Sequence, residues 1–236
     1  MTTLQYLKKY AYYYLYAIAI TLVLNFWFSD QVSQVSGKLE ASDRPVMVID
    51  AGHGGIDGGT TSCTGVLESS LNLEISQRLD CLFRLLGYET RMTRNTSDSL
   101  ATQGDTIRAQ KVSDLKNRVS IVNELDNALL LSIHQNYYPL SQYSGPQVFY
   151  TESAKELAGA VQKDLNTLTE KKDRSCKRSE GVYLMEHITV PGILIECGFL
   201  SNPGEEARLR QPEYQKKLCG VIACSVAAYV ESARIG

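Results

Sequence analysis

The chain holds three histidines, His53, His134 and His187, and the first two stand where strand-like runs end. The stretch from Val46 to Gly59 reads Val-Met-Val-Ile-Asp-Ala-Gly-His-Gly-Gly-Ile-Asp-Gly-Gly. Its β-branched run predicts a buried strand, and the glycines after it let the backbone bend sharply and let a ligand come close. His134 follows a second apolar run, Leu129-Leu-Leu-Ser-Ile133, and gives way to Gln135 and Asn136. Two imidazoles at strand ends can converge on one metal ion. Two carboxylates are placed to join them. Glu68 sits just ahead of a predicted helix, and Glu196 closes the apolar run Gly192-Ile-Leu-Ile195. A buried charge without a partner is costly, so an acid at the end of such a run needs a reason to be there.

Two histidines and one glutamate with a fourth position open are the usual outfit of a hydrolytic zinc site, and a second carboxylate then takes the proton of the attacking water. His53, Glu68 and His134 supply such a ligand set, and Glu196 the base. Plain alternatives stand beside this reading. His53 can be incidental to a glycine turn, and Glu68 can be an acid favoured by the helix dipole beside a Ser69 or Ser70 cap. The helical His-Glu-x-x-His spacing is absent, which excludes thermolysin-like folds.

The elements that must position these residues alternate. A strand at Val46–Ile49 is followed by a helix with Leu71, Ile75, Leu79, Leu82 and Leu86 on one side, closed by Gly87, and then by a strand at Tyr88–Thr93. Such a unit implies a parallel strand pair. A polar loop, Asn95–Lys111, leads to a helix opened by Asp114, with Leu115, Val119 and Val122 on one face. Further strands are expected at Leu129–Ile133, Val148–Tyr150, Val182–Met185 and Gly192–Ile195. Helices are expected at Ala154–Leu168, after Pro203, and from Pro212 to Ala233. The class is α/β: one domain, residues 44–236, with a mixed, mostly parallel sheet flanked by helices. Tyr137, Tyr138 and Tyr143 suit a substrate-facing rim, although exposed loop tyrosines need no function. The basic residues Lys171, Lys172, Arg174, Lys177 and Arg178 read as a solvated loop.

At 236 residues, 44% hydrophobic and 21% charged, the chain can bury a good-sized core. A net charge of -2 offers no basic footprint for nucleic acid. From Tyr10 to Ser29 no residue is charged, Lys8 and Lys9 precede the run, and Asp30 is the first charge after it. Twenty helical residues span about 30 Å, enough to cross a bilayer, and the flanking lysines keep the amino terminus cytoplasmic. Residues 1–30 therefore read as a transmembrane anchor, with a cleaved signal peptide as the competing reading, and residues 31–43 as a polar linker. The rest is extracytoplasmic. Six cysteines show no Cys-x-x-Cys spacing and read as free thiols.

The segments Ile-Asp-Ala-Gly-His-Gly-Gly, Glu68 before Leu-Asn-Leu, Thr93-Arg94, Arg118-Val119, Ser132-Ile-His-Gln-Asn136 and Ile195-Glu-Cys-Gly-Phe-Leu-Ser-Asn-Pro203 resemble, in order, those of the zinc-dependent N-acetylmuramoyl-L-alanine amidases. The resemblance runs from about Pro45 to the end. It implies a mixed sheet flanked by helices, zinc held by His53, Glu68 and His134, Glu196 as the catalytic glutamate, and peptidoglycan as substrate. His187 matches no ligand position and is read as structural. A short catalytic domain behind an apolar amino-terminal segment, together with Leu100–Arg118, Gly181-Val-Tyr183 and Pro203-Gly-Glu-Glu206, looks like the germination-specific, spore-cortex type. That implies removal of the stem peptide from muramic acid before muramic-δ-lactam forms; whether an accessory protein is needed is left open. The rivals are a non-catalytic wall-binding or partner-recruiting module with the same fold, and a zinc peptidase or deacetylase acting on the same polymer.

Overall fold

The computed structural model describes residues 44–169 and 174–235, with Ile20, Thr21 and Val23 ahead of them. The chain separates into two compact units, residues 1–43 and 44–236. The linker, the first part of the basic run and all of the anchor but Ile20, Thr21 and Val23 lie outside the described residues. Among the described residues no helix is long and apolar enough to cross a membrane.

The second unit is a single α/β domain. Its strands are β1 (Val46–Ala51), β2 (Thr90–Met92), β3 (Ala128–Asn136), β4 (Gln147–Tyr150), β5 (Lys177–Arg178) and β6 (Gly192–Phe199). They form one sheet in the order β2-β1-β3-β6-β4-β5. The β1, β2, β3 and β6 pairings are parallel, and β4 runs antiparallel to β6. The helices are α1 (Glu68–Leu85), α2 (Ile107–Asn123), α3 (Lys155–Leu165), α4 (Tyr183–His187), α5 (Pro203–Leu209) and α6 (Pro212–Ile235).

The two-residue period of the strands divides the core. Met47, Ile49, Leu131, Ile133, Ile193 and Ile195 pack with α1, α3 and α6 through residues such as Leu79, Phe83, Val161 and Ile222. The alternate positions Val48, Leu130 and Leu194 pack with Val122 of α2 and Leu184 and Met185 of α4. Both faces of the central strands are covered, which is why they read as nearly continuous apolar runs. Continuing the alternation towards the carboxyl ends puts Asp50, Ser132, His134 and Glu196 on the α2/α4 side, and His134 pairs directly with Glu196 across β3 and β6.

The structure corrects several expectations. Val182–Met185 is not a strand: Tyr183–His187 forms the short helix α4, and the sheet edge is supplied instead by Lys177 and Arg178, both exposed. Helix α2 starts at Ile107, not Asp114, because the Thr106 side chain accepts from Ala109 N at 3.2 Å and caps it there. His134 and Glu196 lie inside their strands, which extend to Asn136 and Phe199. Arg174 is not a solvated loop residue; it donates to Ser144 O at 2.8 Å and stands over the Phe199 ring. All six cysteines are free.

Candidate active site

The site lies at the carboxyl edge of β1, β3 and β6. The chain leaves β1 through the glycine loop, and His53 itself adopts φ 60°. For a residue with a Cβ that conformation costs about 1–3 kcal/mol and persists only where the surroundings impose it. Two buried arginines do so. Arg118, on α2, uses every donor it has: Nε to Asp114 Oδ2 at 2.6 Å, Nη1 to Asp50 Oδ1 at 2.6 Å and Ala51 O at 2.8 Å, and Nη2 to His53 O at 2.6 Å and Asp114 Oδ1 at 3.4 Å. Arg94 reaches the same backbone from the other side, giving Nε to Ala51 O at 2.8 Å and Nη2 to Gly52 O at 3.0 Å and Ser69 O at 2.9 Å. Three consecutive carbonyls, from Ala51 to His53, are thus pinned by guanidinium groups.

Glu68 opens α1. Leu67 precedes that helix without a side-chain cap, so the serine-cap alternative does not hold, and Glu68 turns to the sheet edge instead. Its Oε1 lies 3.0 Å from His134 Nδ1 and 3.3 Å from His53 Nε2. The carboxylate is held by Gln135 N at 3.1 Å, Asn72 Nδ2 at 3.2 Å and Thr60 N at 3.0 Å. Donor atoms of His53, Glu68 and His134 all fall within 4.8 Å of one another. A set of two imidazole nitrogens and one carboxylate oxygen suits zinc, so the residues present fit that ion. Glycine is required around them. A Cβ on Gly52 would overlap the His134 ring, and one on Gly59 would lie 2.6 Å from Glu68 Oε2 and 2.8 Å from His53 Cδ2.

Electrostatics follow from this crowding. Burial alone would raise the Glu68 pKa, but the two imidazoles override it and hold the carboxyl far below its usual range. Burial disfavours a charged His53, yet Glu68 and Asp57 raise it to about 9. Glu196 behaves oppositely. Burial, reinforced by the nearby Glu68 charge, raises it to about 7 despite both imidazoles, and its Oε2 is buried with no hydrogen-bond partner. A cleft of about 330 Å³ between α2 and α4 opens onto the cluster, lined by His53, Asp57, Lys111, His134, Tyr183 and Leu184.

All four residues singled out from the sequence therefore meet at one sheet edge. Tyr137 and Tyr138 are half exposed just beyond β3, with Tyr138 edge-on to Tyr143 at 4.5 Å. His187 stacks on Tyr183 at 3.9 Å and bonds its carbonyl, and it is not part of the donor cluster. Sequence reasoning assigned no role to Asp50, Asp57, Asn72, Arg94, Lys111 or Arg118. For Arg118 the available signal was a charge among Leu115, Val119 and Val122 on the apolar side of a helix.

The family model for N-acetylmuramoyl-L-alanine amidases matches residues 47–228. The chain belongs to that family. The amidase is 35% identical over 216 residues to the germination-specific N-acetylmuramoyl-L-alanine amidase of Bacillus subtilis, covering 90% of each chain. The CwlD amidase of Clostridioides difficile, solved in complex with the GerS lipoprotein, superposes with a TM-score of 0.76 at 33% identity, over 80% of this chain and 100% of that one. An N-acetylmuramoyl-L-alanine amidase from Clostridium difficile 630 gives 0.71 at 29% identity, over 81% and 99%.

Replacing Arg118 by Met leaves Asp50 and Asp114 buried without their cation and is expected to cost about 3–5 kcal/mol, read from urea unfolding. Asp50 sets an acid limit. Burial would raise its pKa, but Arg118, with Ser132 and other neighbours, lowers it from 3.8 to about 2. Its contribution is therefore present above pH 3.8 and lost as pH falls through about 2. Unfolding midpoints of the native protein should drop over that window, and those of Asp50→Asn, already lower, should drop less.

Proposed function

We propose that His53, Glu68 and His134 are the ligands of a zinc ion, that Glu196 is the catalytic acid–base group, and that the amidase acts on spore-cortex peptidoglycan. The observation that carries this reading is the pairing of a three-donor cluster with a carboxylate, Glu196, that has a buried, unpartnered oxygen beside it. When bound, zinc supplies a Lewis acid for the scissile carbonyl and lowers the pKa of a coordinated water from about 15.7 towards about 7. Glu196, raised to about 7 by its burial, accepts a proton from the attacking water at neutral pH. It then returns that proton to the L-alanine nitrogen as the lactoyl amide breaks. The α2/α4 cleft holds the chain flanking that bond.

The spore-cortex setting, with stem-peptide removal ahead of muramic-δ-lactam formation, draws support from the germination-specific relative and from the C. difficile CwlD likeness. The same likeness supports an accessory lipoprotein as a partner. Residues 1–30 are proposed as the membrane anchor, 31–43 as the linker and 44–236 as the catalytic domain, placed outside the cytoplasm.

The test is mass spectrometry of muropeptides after incubating the purified full-length protein with peptidoglycan, with and without zinc. Intact stem peptides beginning with L-alanine, released only with zinc, are expected. Glu196→Gln should keep the zinc and lose turnover by about 10²–10⁴-fold; retained turnover would remove Glu196 from this role. Zinc-free activity would remove the metal assignment.

A further inference from the structure

His53 can serve a metal only through Nε2, the nitrogen that faces Glu68 at 3.3 Å. A neutral imidazole offers a lone pair on Nε2 when its proton sits on Nδ1, and the tautomer is chosen by whatever Nδ1 meets. Here Nδ1 meets Asp57 Oδ2 at 2.9 Å. An ionised carboxylate only accepts hydrogen bonds, so Nδ1 must donate. The question then passes to what orients Asp57. It stands four residues beyond His53 in a loop where His53, Gly54, Gly55 and Gly59 all have positive φ. Within the loop its Oδ1 takes one long bond, from Gly59 N at 3.3 Å. The shorter contact to that oxygen comes from outside the loop: Lys111 Nζ, on α2, at 2.8 Å.

Lys111 and Arg118 are seven residues apart, two turns and about 10.5 Å along one helix. Arg118 grips the carbonyl of His53 and Lys111 grips the carboxylate beyond its ring, so α2 clasps the ligand-bearing loop at both ends. The two clasps differ in exposure. The Arg118 side chain is 2% exposed and that of Lys111 46%. A half-exposed ion pair contributes little to folding stability, so removing Lys111 leaves the fold in place.

We propose that Lys111 is a positioning residue for the metal site: through Asp57 it holds His53 with Nδ1 protonated and Nε2 aimed at the point shared by Glu68 and His134. The proposal rests on the reading of His53 as a zinc ligand. A carboxylate that accepts from a ligating histidine typically changes metal affinity by about 10–100-fold when it is lost, and Lys111 acts through that carboxylate.

The experiment measures zinc affinity of the full-length protein by competition with a chromophoric chelator, beside the thermal midpoint of the metal-free protein. Lys111→Met is expected to weaken zinc binding by about tenfold or more with an unchanged midpoint. Lys111→Arg, which keeps a cation on Asp57, should recover most of the loss, and Lys116→Met on the same helix should bind like the native protein. Native affinity in Lys111→Met overturns the proposal, as does a midpoint that falls with it or an Arg variant no better than Met. If the native protein binds no zinc at all, the ligand assignment itself fails and the proposal falls with it, an outcome distinct from native zinc binding that Lys111→Met leaves unmoved.

Discussion

The Arg118 guanidinium holds the site together. It is buried among the ends of β1 and α2 and satisfies Asp50, Asp114 and the carbonyls of Ala51 and His53 at once. A buried charge is tolerated when every donor is matched, and here the matching partners are the groups that must not move. Burial opposes the charge on Arg118, and the two aspartates more than compensate, raising its pKa beyond the ordinary arginine range. With Arg94 on the opposite side, the backbone leaving β1 is fixed by hydrogen bonds to carbonyls, so its glycines confer shape without looseness.

That rigidity matters because the next residue in the loop is strained. His53 holds φ 60° with its carbonyl gripped by Arg118, and in that conformation its Nε2 lies 3.3 Å from Glu68. The same logic applies to Glu68, whose carboxylate is fixed by two backbone N–H groups and Asn72. The three residues are thus tied to β3, to α1 and, through the His53 carbonyl, to α2.

Glu196 is set apart by what it lacks. Burial, together with the Glu68 charge, favours its neutral form, and the imidazoles only partly offset this. Neighbouring carboxylates are thereby driven in opposite directions: Glu68 is held ionised by His134 and His53, whereas Glu196 is poised near neutrality, the range in which a group can both take and give a proton.

How much of this is legible in the chain depends on the range of the interaction. The runs at Val46, Leu129 and Gly192 read as strands because burial on both faces selects apolar, mostly β-branched or aliphatic residues regardless of topology. The apolar spacing from Leu71 to Leu79 reads as a helix face for the same local reason. His53, Glu68, His134 and Glu196 stood out because polar groups interrupt those patterns, and the ordered motifs around them resemble one enzyme family. Local pattern misled at Val182–Met185, where a short apolar run became a helix and the exposed pair Lys177–Arg178 took the sheet edge. It also placed the start of α2 seven residues late by overlooking Thr106 as a cap. Which groups meet across long separations was settled by the fold. Arg118 finds Asp50 across 68 residues and the carbonyl of His53 across 65, and Lys111 finds Asp57 only because α2 lies over the loop. A single arginine or lysine on a helix carries no mark of its partner in sequence, because ion pairing is set by distance in space, and the sheet order alone brings those elements together.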